Sequence, residues 1–131
     1  MATIEEQVKA LKKEKDYCCA QIIYQLAGLD PLQLDDPVGQ KALRAMGWGA
    51  RTQLTCGALT GGTMALALHI EDKKEMIQAI KDYTEWFKAT FHHTDCGDLL
   101  GWGTKPDGRC HDSIVAPCVH HILEIIDQPP Q

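Results

Sequence analysis

Apolar positions recur at helical spacing along most of the chain. Ile4, Val8, Leu11, Ile22 and Leu26 share one face of a 3.6-residue period, which predicts an amphipathic helix over residues 4–28. Thr3 is its candidate N-cap with Glu6 three residues on, and Gly28 is its stop. Cys18 and Cys19 then flank the apolar stripe late in that helix, within reach of a core-facing site. A loop over 29–36 leads to Asp36-Pro37, an N-cap followed by a proline at the first helical position. The short helix it opens runs to about Met46, and Gly47-Trp48-Gly49 is a turn. Residues 52–70 are apolar almost all round, which predicts a long, central, buried helix with Thr52 or Thr55 as N-cap. Asp72 with Glu75 opens a helix over 73–91, whose stripe is Met76, Ile80, Tyr83, Phe87 and Phe91. Residues 92–110 are punctuated by Gly and Pro, with one helical turn near Asp98 to Leu100. A last helix runs from about Ser113 to Asp127 with Pro117 in its first turn, followed by a frayed QPPQ tail.

With no strand pattern of any strength, the expected class is all-α: a compact bundle of four to five helices with one Gly/Pro-rich loop, a single domain over 1–131. Gly57, Gly61 and Gly62 each weaken the central helix by ~1 kcal/mol relative to alanine. Either another helix packs close against them, or something bulky such as a cofactor sits on that face; Gly57 and Gly61 are the candidate contacts.

The net charge of −5 and the lack of a basic stripe argue against nucleic acid. No apolar run reaches the length of a membrane span, and the charged N-terminal segment has no signal-type apolar core. A cytoplasmic protein is expected. In that setting six cysteines, at 18, 19, 56, 96, 110 and 118, point to metal or redox chemistry rather than a disulfide framework. No C-x-x-C occurs, so neither a thioredoxin dithiol nor a zinc knuckle is present, and without C-x-x-C-H there is no covalent haem site.

Cys56 is the most informative residue. With Thr55 as N-cap it would be the first helical residue, where the helix start favours the thiolate and lowers the pKa, aided by Arg51; its plain alternative is a small buried hydrophobe. Cys96 and Cys110 bracket the irregular segment, where a bridge or shared metal would staple the loop. Cys118, on the apolar face of the last helix, reads as core packing and the least reactive thiol. His92, His93, His120 and His121 read as surface residues, His111 as a neighbour able to act on Cys110, and Trp48 and Trp102 as loop anchors.

The segments CCAQ at 18–21, CGALTGG at 56–62, CGDLLGW at 96–102 and Cys110 before an apolar helix resemble a family of redox-type proteins named for its cysteine pattern, C_GCAxxG_C_C. On that resemblance Cys19, Cys56, Cys96 and Cys110 are the family cysteines, while Cys18 and Cys118 are extra. A related domain occurs in split-Soret cytochromes. The family implies a helical, cytosolic protein and no substrate.

Three functions follow. In the first, the four cysteines ligate an iron–sulfur cluster or another metal and the protein transfers electrons to a redox partner; a functional quartet favours this over a dithiol, which needs only two sulfurs. In the second, Cys56 is the attacking thiolate of a thiol–disulfide cycle. In the third, the thiols are inert and the bundle is a structural module that forms homo-oligomers through its glycine-rich face. No substrate pocket, nucleotide loop or acid–base pair suggests a conventional enzyme.

Overall fold

The computed structural model of the chain describes residues 2–100 and 111–127. Its α-helices are α1 (Ile4–Lys15), α2 (Cys19–Ile23), α3 (Pro37–Leu43), α4 (Gly57–His69), α5 (Lys73–Phe91), α6 (Cys96–Leu100) and α7 (Ala116–Asp127). The one extended pairing among the described residues is an antiparallel bridge between Thr55 and Asp95. The fold is all-α, as the periodicity predicts. The readings made for Trp102, Cys110 and the QPPQ tail, and for the His111 side chain, lie outside the described residues.

The expected helix over 4–28 is two helices. Thr3 caps α1 by accepting from the Glu6 N–H at 3.1 Å. At the other end Asp16 turns left-handed (φ 53°) and its N–H closes onto the Leu11 and Lys12 carbonyls. The stripe has no apolar member from residue 12 to 16, where the sequence reads Lys-Lys-Glu-Lys-Asp, so continuing the helix would bury nothing there. The chain restarts with Cys18 as N-cap of α2, its N–H donating to Gln21 Oε1 at 3.0 Å. Cys18 and Cys19 therefore stand at the start of a helix rather than late in one.

Helix α2 runs on through a π-helical stretch, Tyr24–Leu29, and a 3₁₀ turn, Asp30–Leu32. Gly28 does not end it; Gln33 does, at φ 56°. The missing side chain of Gly28 instead lets α4 approach, since a Cβ there would lie 3.3 Å from Ala65 Cα. The carbonyls of Ala27 and Gly28 accept from His69 Nε2–H at 2.9 and 3.1 Å, which fixes that tautomer. Asp36 caps α3 as predicted, accepting from the Gly39 N–H at 2.9 Å, with Pro37 at the first helical position. Gln21 and Gln40, both buried, donate side-chain amides to each other's backbone carbonyls and pin α3 to α2.

Helix α4 begins at Gly57, five residues later than the apolar pattern implies. Trp48, Gly49, Ala50 and Arg51 are all left-handed, and an extended segment carrying Thr55 follows. From Gly57 on, α4 is the central helix expected, packed between α2, α5 and α7. Asp72 caps α5 through the Glu75 N–H at 2.9 Å, and Tyr83 and Phe87 are its fully buried residues. A π-helical turn, His111–Val115, precedes α7 and places Pro117 within its first turn. Helix α7 buries Cys118, Val119 and Ile122, and His120 binds Glu5 of α1 at 2.8 Å. No helix among the described residues is long and apolar enough to cross a membrane.

Candidate redox site

The cysteines converge through the starts of helices. Cys19 is the first residue of α2, Cys56 the N-cap of α4, Cys96 the first residue of α6, and Cys118 lies in the first turn of α7. The bridge aligns two of them: the Cys56 N–H donates to the Thr94 carbonyl at 2.8 Å, and the Cys96 N–H to the Leu54 carbonyl at 2.6 Å. Residues 54–56 and 94–96 are thus stitched side by side, and α4 and α6 leave from the stitch.

Glycine brings the third segment in. A Cβ on Gly57 would lie 2.5 Å from Cys19 Sγ, and one on Gly61 would lie 2.7 Å from the Ala20 carbonyl oxygen. The faces of both glycines are taken up by α2, with the Cys19 sulfur resting on the first turn of α4. Residual exposure is 7% at Cys19, 3% at Cys56 and 6% at Cys96, so the sulfurs sit under the surface. The neighbouring Cys56 thiol, followed by burial, holds the Cys19 proton well above the ordinary thiol range. Burial pushes the Cys96 thiol up to about 11, with the nearby Cys19 sulfur adding to it.

Two expectations about Cys56 need correction. It is itself the N-cap, because Thr55 is held in the bridge and cannot cap α4. Nor does Arg51 serve it. The guanidinium donates to the Arg44 carbonyl at 2.6 and 3.1 Å and faces Cys18. Cys18, half-buried, has its thiol raised by burial, opposed by the Gln21 and Ala20 N–H groups and by Arg51.

Cys118 is fully buried, as its apolar face predicts, and burial pushes its thiol up to about 12. It is nonetheless not isolated in hydrocarbon. The Tyr83 hydroxyl opposes that rise and the Cys19 charge adds to it. Tyr83 also donates to the Ala58 carbonyl at 2.8 Å, and its ring lies against Gly62, where a Cβ would be 2.5 Å away. Periodicity placed Tyr83 only as core. Its signal was a lone hydroxyl in a stripe of Met, Ile and Phe, since a buried phenol has to find partners.

Among the described residues, three of the four predicted site cysteines, Cys19, Cys56 and Cys96, come together, and the fourth, Cys110, lies outside them. All five described cysteines are free thiols. Within the described residues no three Cys, His, Asp or Glu side chains are gathered as a metal-holding group. The described histidine contacts lie elsewhere: His69 satisfies backbone, His120 meets Glu5, and His121 stacks on Trp86 at 4.0 Å.

No curated protein and no solved structure matches the chain. A family model does, over residues 17–127, a span that contains all six cysteines. The chain belongs to the family described as "Putative redox-active protein (C_GCAxxG_C_C)".

Proposed function

We propose that this is a thiol–disulfide redox protein in which Cys19 and Cys56 are the exchanging pair and Cys96 is their neighbour. The observation that carries this reading is the seating of the Cys19 sulfur on the first turn of α4, 2.5 Å from where a Cβ would stand on Gly57, the residue after Cys56. Two neighbouring thiols are the reduced form of a disulfide cycle: one sulfur attacks while the other keeps its proton until it resolves. Cys56 is the attacking sulfur because Cys19, whose proton is held well above the ordinary thiol range, is the one that keeps its proton.

The oxidant is a disulfide, RSSR, of a small molecule or a partner protein. The Cys56 thiolate attacks one sulfur of RSSR. The S–S bond of RSSR breaks, one RS⁻ leaves and takes up a proton, and a mixed disulfide forms on Cys56. The Cys19 sulfur, giving up its proton, then attacks the Cys56 sulfur and expels the second RSH. Two electrons pass from the protein dithiol to RSSR, and a Cys19–Cys56 disulfide remains.

The iron–sulfur reading draws on the convergence of Cys19, Cys56 and Cys96 and needs Cys110 as fourth ligand. A cluster there would supply one-electron transfer and would require all four sulfurs as thiolates. Cys19, whose proton is held up by the neighbouring Cys56 thiol and by burial, and Cys96, whose proton is held up by burial, fit the dithiol chemistry better. No step is therefore assigned to a metal.

One preparation tests these alternatives. Protein purified without oxygen should be colourless and bind less than one equivalent of iron or zinc. On titration with oxidised glutathione it should yield peptides linked through Cys19 and Cys56. Brown colour with stoichiometric iron would overturn the dithiol reading in favour of the cluster. Six thiols that remain unlinked under the same titration would leave an inert structural module.

A further inference from the structure

We propose that residues 46–53 form a lid over the Cys19–Cys56 pair, latched by Arg51, and that an outside disulfide reaches the pair only while this lid is open. This rests on the Cys19–Cys56 reading and adds the way in that it requires, since both cysteines are buried. The first observation is where the strap lies. The place of a Gly57 Cβ is 2.5 Å from the Cys19 sulfur and 3.0 Å from the Met46 carbonyl oxygen, so that carbonyl and that sulfur meet over the first turn of α4. One residue on, the place of a Gly47 Cβ is 3.2 Å from the Cys18 sulfur and 3.3 Å from Cζ of Arg51. The strap therefore crosses both adjacent cysteines before the chain enters the bridge at Thr55.

The second observation is that the strap is closed against its own preferences. Trp48, Ala50 and Arg51 stand at φ 50°, 54° and 65°, with Gly49 between them at 60°. A side chain in this left-handed region crowds the following carbonyl, so single residues adopt it at turns, whereas a run of them persists only where the surroundings impose it. The Trp48 indole N–H is a separate cost, being buried with no acceptor among the described residues. Opening would relieve the turn and give the indole N–H to water.

The third observation is what holds it shut. The Gly49 carbonyl accepts from the Leu54 N–H at 3.1 Å and from the Thr52 hydroxyl at 3.0 Å, bonds that shape the far limb of the strap. Arg51 ties that limb back to the near one: its Nε–H and Nη2–H donate to the Arg44 carbonyl at 3.1 and 2.6 Å. Both are charge-assisted bonds, and the guanidinium is exposed, so water can replace the carbonyl when the strap lifts. A strained segment closed by a surface latch has two accessible states, and Arg51 sets the balance between them.

The test uses the full chain in a Cys18→Ser background, so that modification of this peptide is assigned to Cys19; serine is itself a preferred N-cap at that position. Reduced protein is treated with iodoacetamide or, separately, with oxidised glutathione, quenched in acid at intervals and mapped without reduction. Arg51→Ala should speed both the labelling of Cys19 and Cys56 and the formation of their link by roughly tenfold or more, with Arg51→Lys in between. Removing a positive charge near thiols would by itself slow a thiolate reaction, so the gain has no electrostatic source. Ala50→Gly, which relieves the closed turn, should slow both by about two- to fivefold. Cys118, fully buried in the core, should label at the parent rate throughout. A Cys118 that speeds up in step with Cys19 and Cys56 would mean that the whole molecule opens, and overturns the lid. Rates that ignore the substitutions at 50 and 51, or move in the same direction in both, also overturn it and leave the parent reading standing while the link still forms. Failure of the link in every variant removes the parent reading, and the lid's part in exchange with it.

Discussion

Single atoms decide the site. The family descriptor runs Gly-Cys-Ala-x-x-Gly, whereas residues 56–61 here run Cys-Gly-Ala-Leu-Thr-Gly. The order has a steric reason, because any side chain at 57 would begin 2.5 Å from the Cys19 sulfur. Gly61 is held by backbone rather than by a mobile side chain, with the Ala20 carbonyl oxygen 2.7 Å from where its Cβ would be. Alanine at an ordinary helix position gains about 1 kcal/mol over glycine. Gly61→Ala should instead lose ~1–3 kcal/mol, since α2 has to move off α4. Urea unfolding of reduced protein reads the sign: a variant as stable as the parent would mean that the two helices tolerate a wider gap. Gly57→Ala should in addition slow formation of the Cys19–Cys56 link, because it displaces one of the two sulfurs.

At the scale of elements, α4 shows what a pattern of apolar residues does and does not determine. Its buried face was legible because small and aliphatic residues run all round it. Its start was not, since Thr52 to Thr55 continue the composition while four left-handed residues, Trp48 to Arg51, impose a different path. Each non-glycine residue in that conformation costs roughly 1–2 kcal/mol. Ala50, exposed and at φ 54°, is the position where relief is simplest. Ala50→Gly should stabilise the protein by roughly 0.5–1 kcal/mol, the relieved strain being partly offset by the entropy glycine adds to the unfolded chain. Its melting temperature against the parent checks this; a drop would mean that the turn is not strained at Ala50. Capping signals were read correctly wherever a side chain supplies the cap, at Thr3, Asp36 and Asp72. They failed at Cys18 and Cys56, because cysteine is not a customary N-cap and nothing in the local sequence marks it as one. The same gap hid the organising feature of the site. The apolar pattern placed Cys56 at a helix start, but nothing in the cysteine spacing placed Cys19 and Cys96 at helix starts as well.

Across the whole molecule, burying thiols and phenols ties stability to pH and to redox state. Burial raises the Cys96 and Cys118 thiols from 9.0 to about 11 and about 12, and the Tyr24 phenol from 10.0 to about 12, where its hydrogen bond to Asp36 adds to the shift. A raised value in the folded state means that the unfolded chain gives up these protons first. The contribution is therefore fully present below the ordinary values and falls as pH climbs from about 9 towards 12. Reduced protein should lose stability steeply over that window, and denaturant midpoints measured between pH 8 and 11 would show it; a flat profile would mean that the thiols are not buried as described. Oxidation acts in the opposite direction. A Cys19–Cys56 bridge closes a loop of about 38 residues, which in the chain-entropy model stabilises by roughly 4 kcal/mol. For a chain of this size that corresponds to a melting temperature higher by roughly 10–20 °C. Calorimetry of the oxidised and reduced forms at neutral pH measures the difference directly. An oxidised form that melts below the reduced one would mean that the two sulfurs cannot bond without distorting the contact between α2 and α4. A rise confined to protein that retains Cys19 and Cys56 would place the stabilising bridge at this pair.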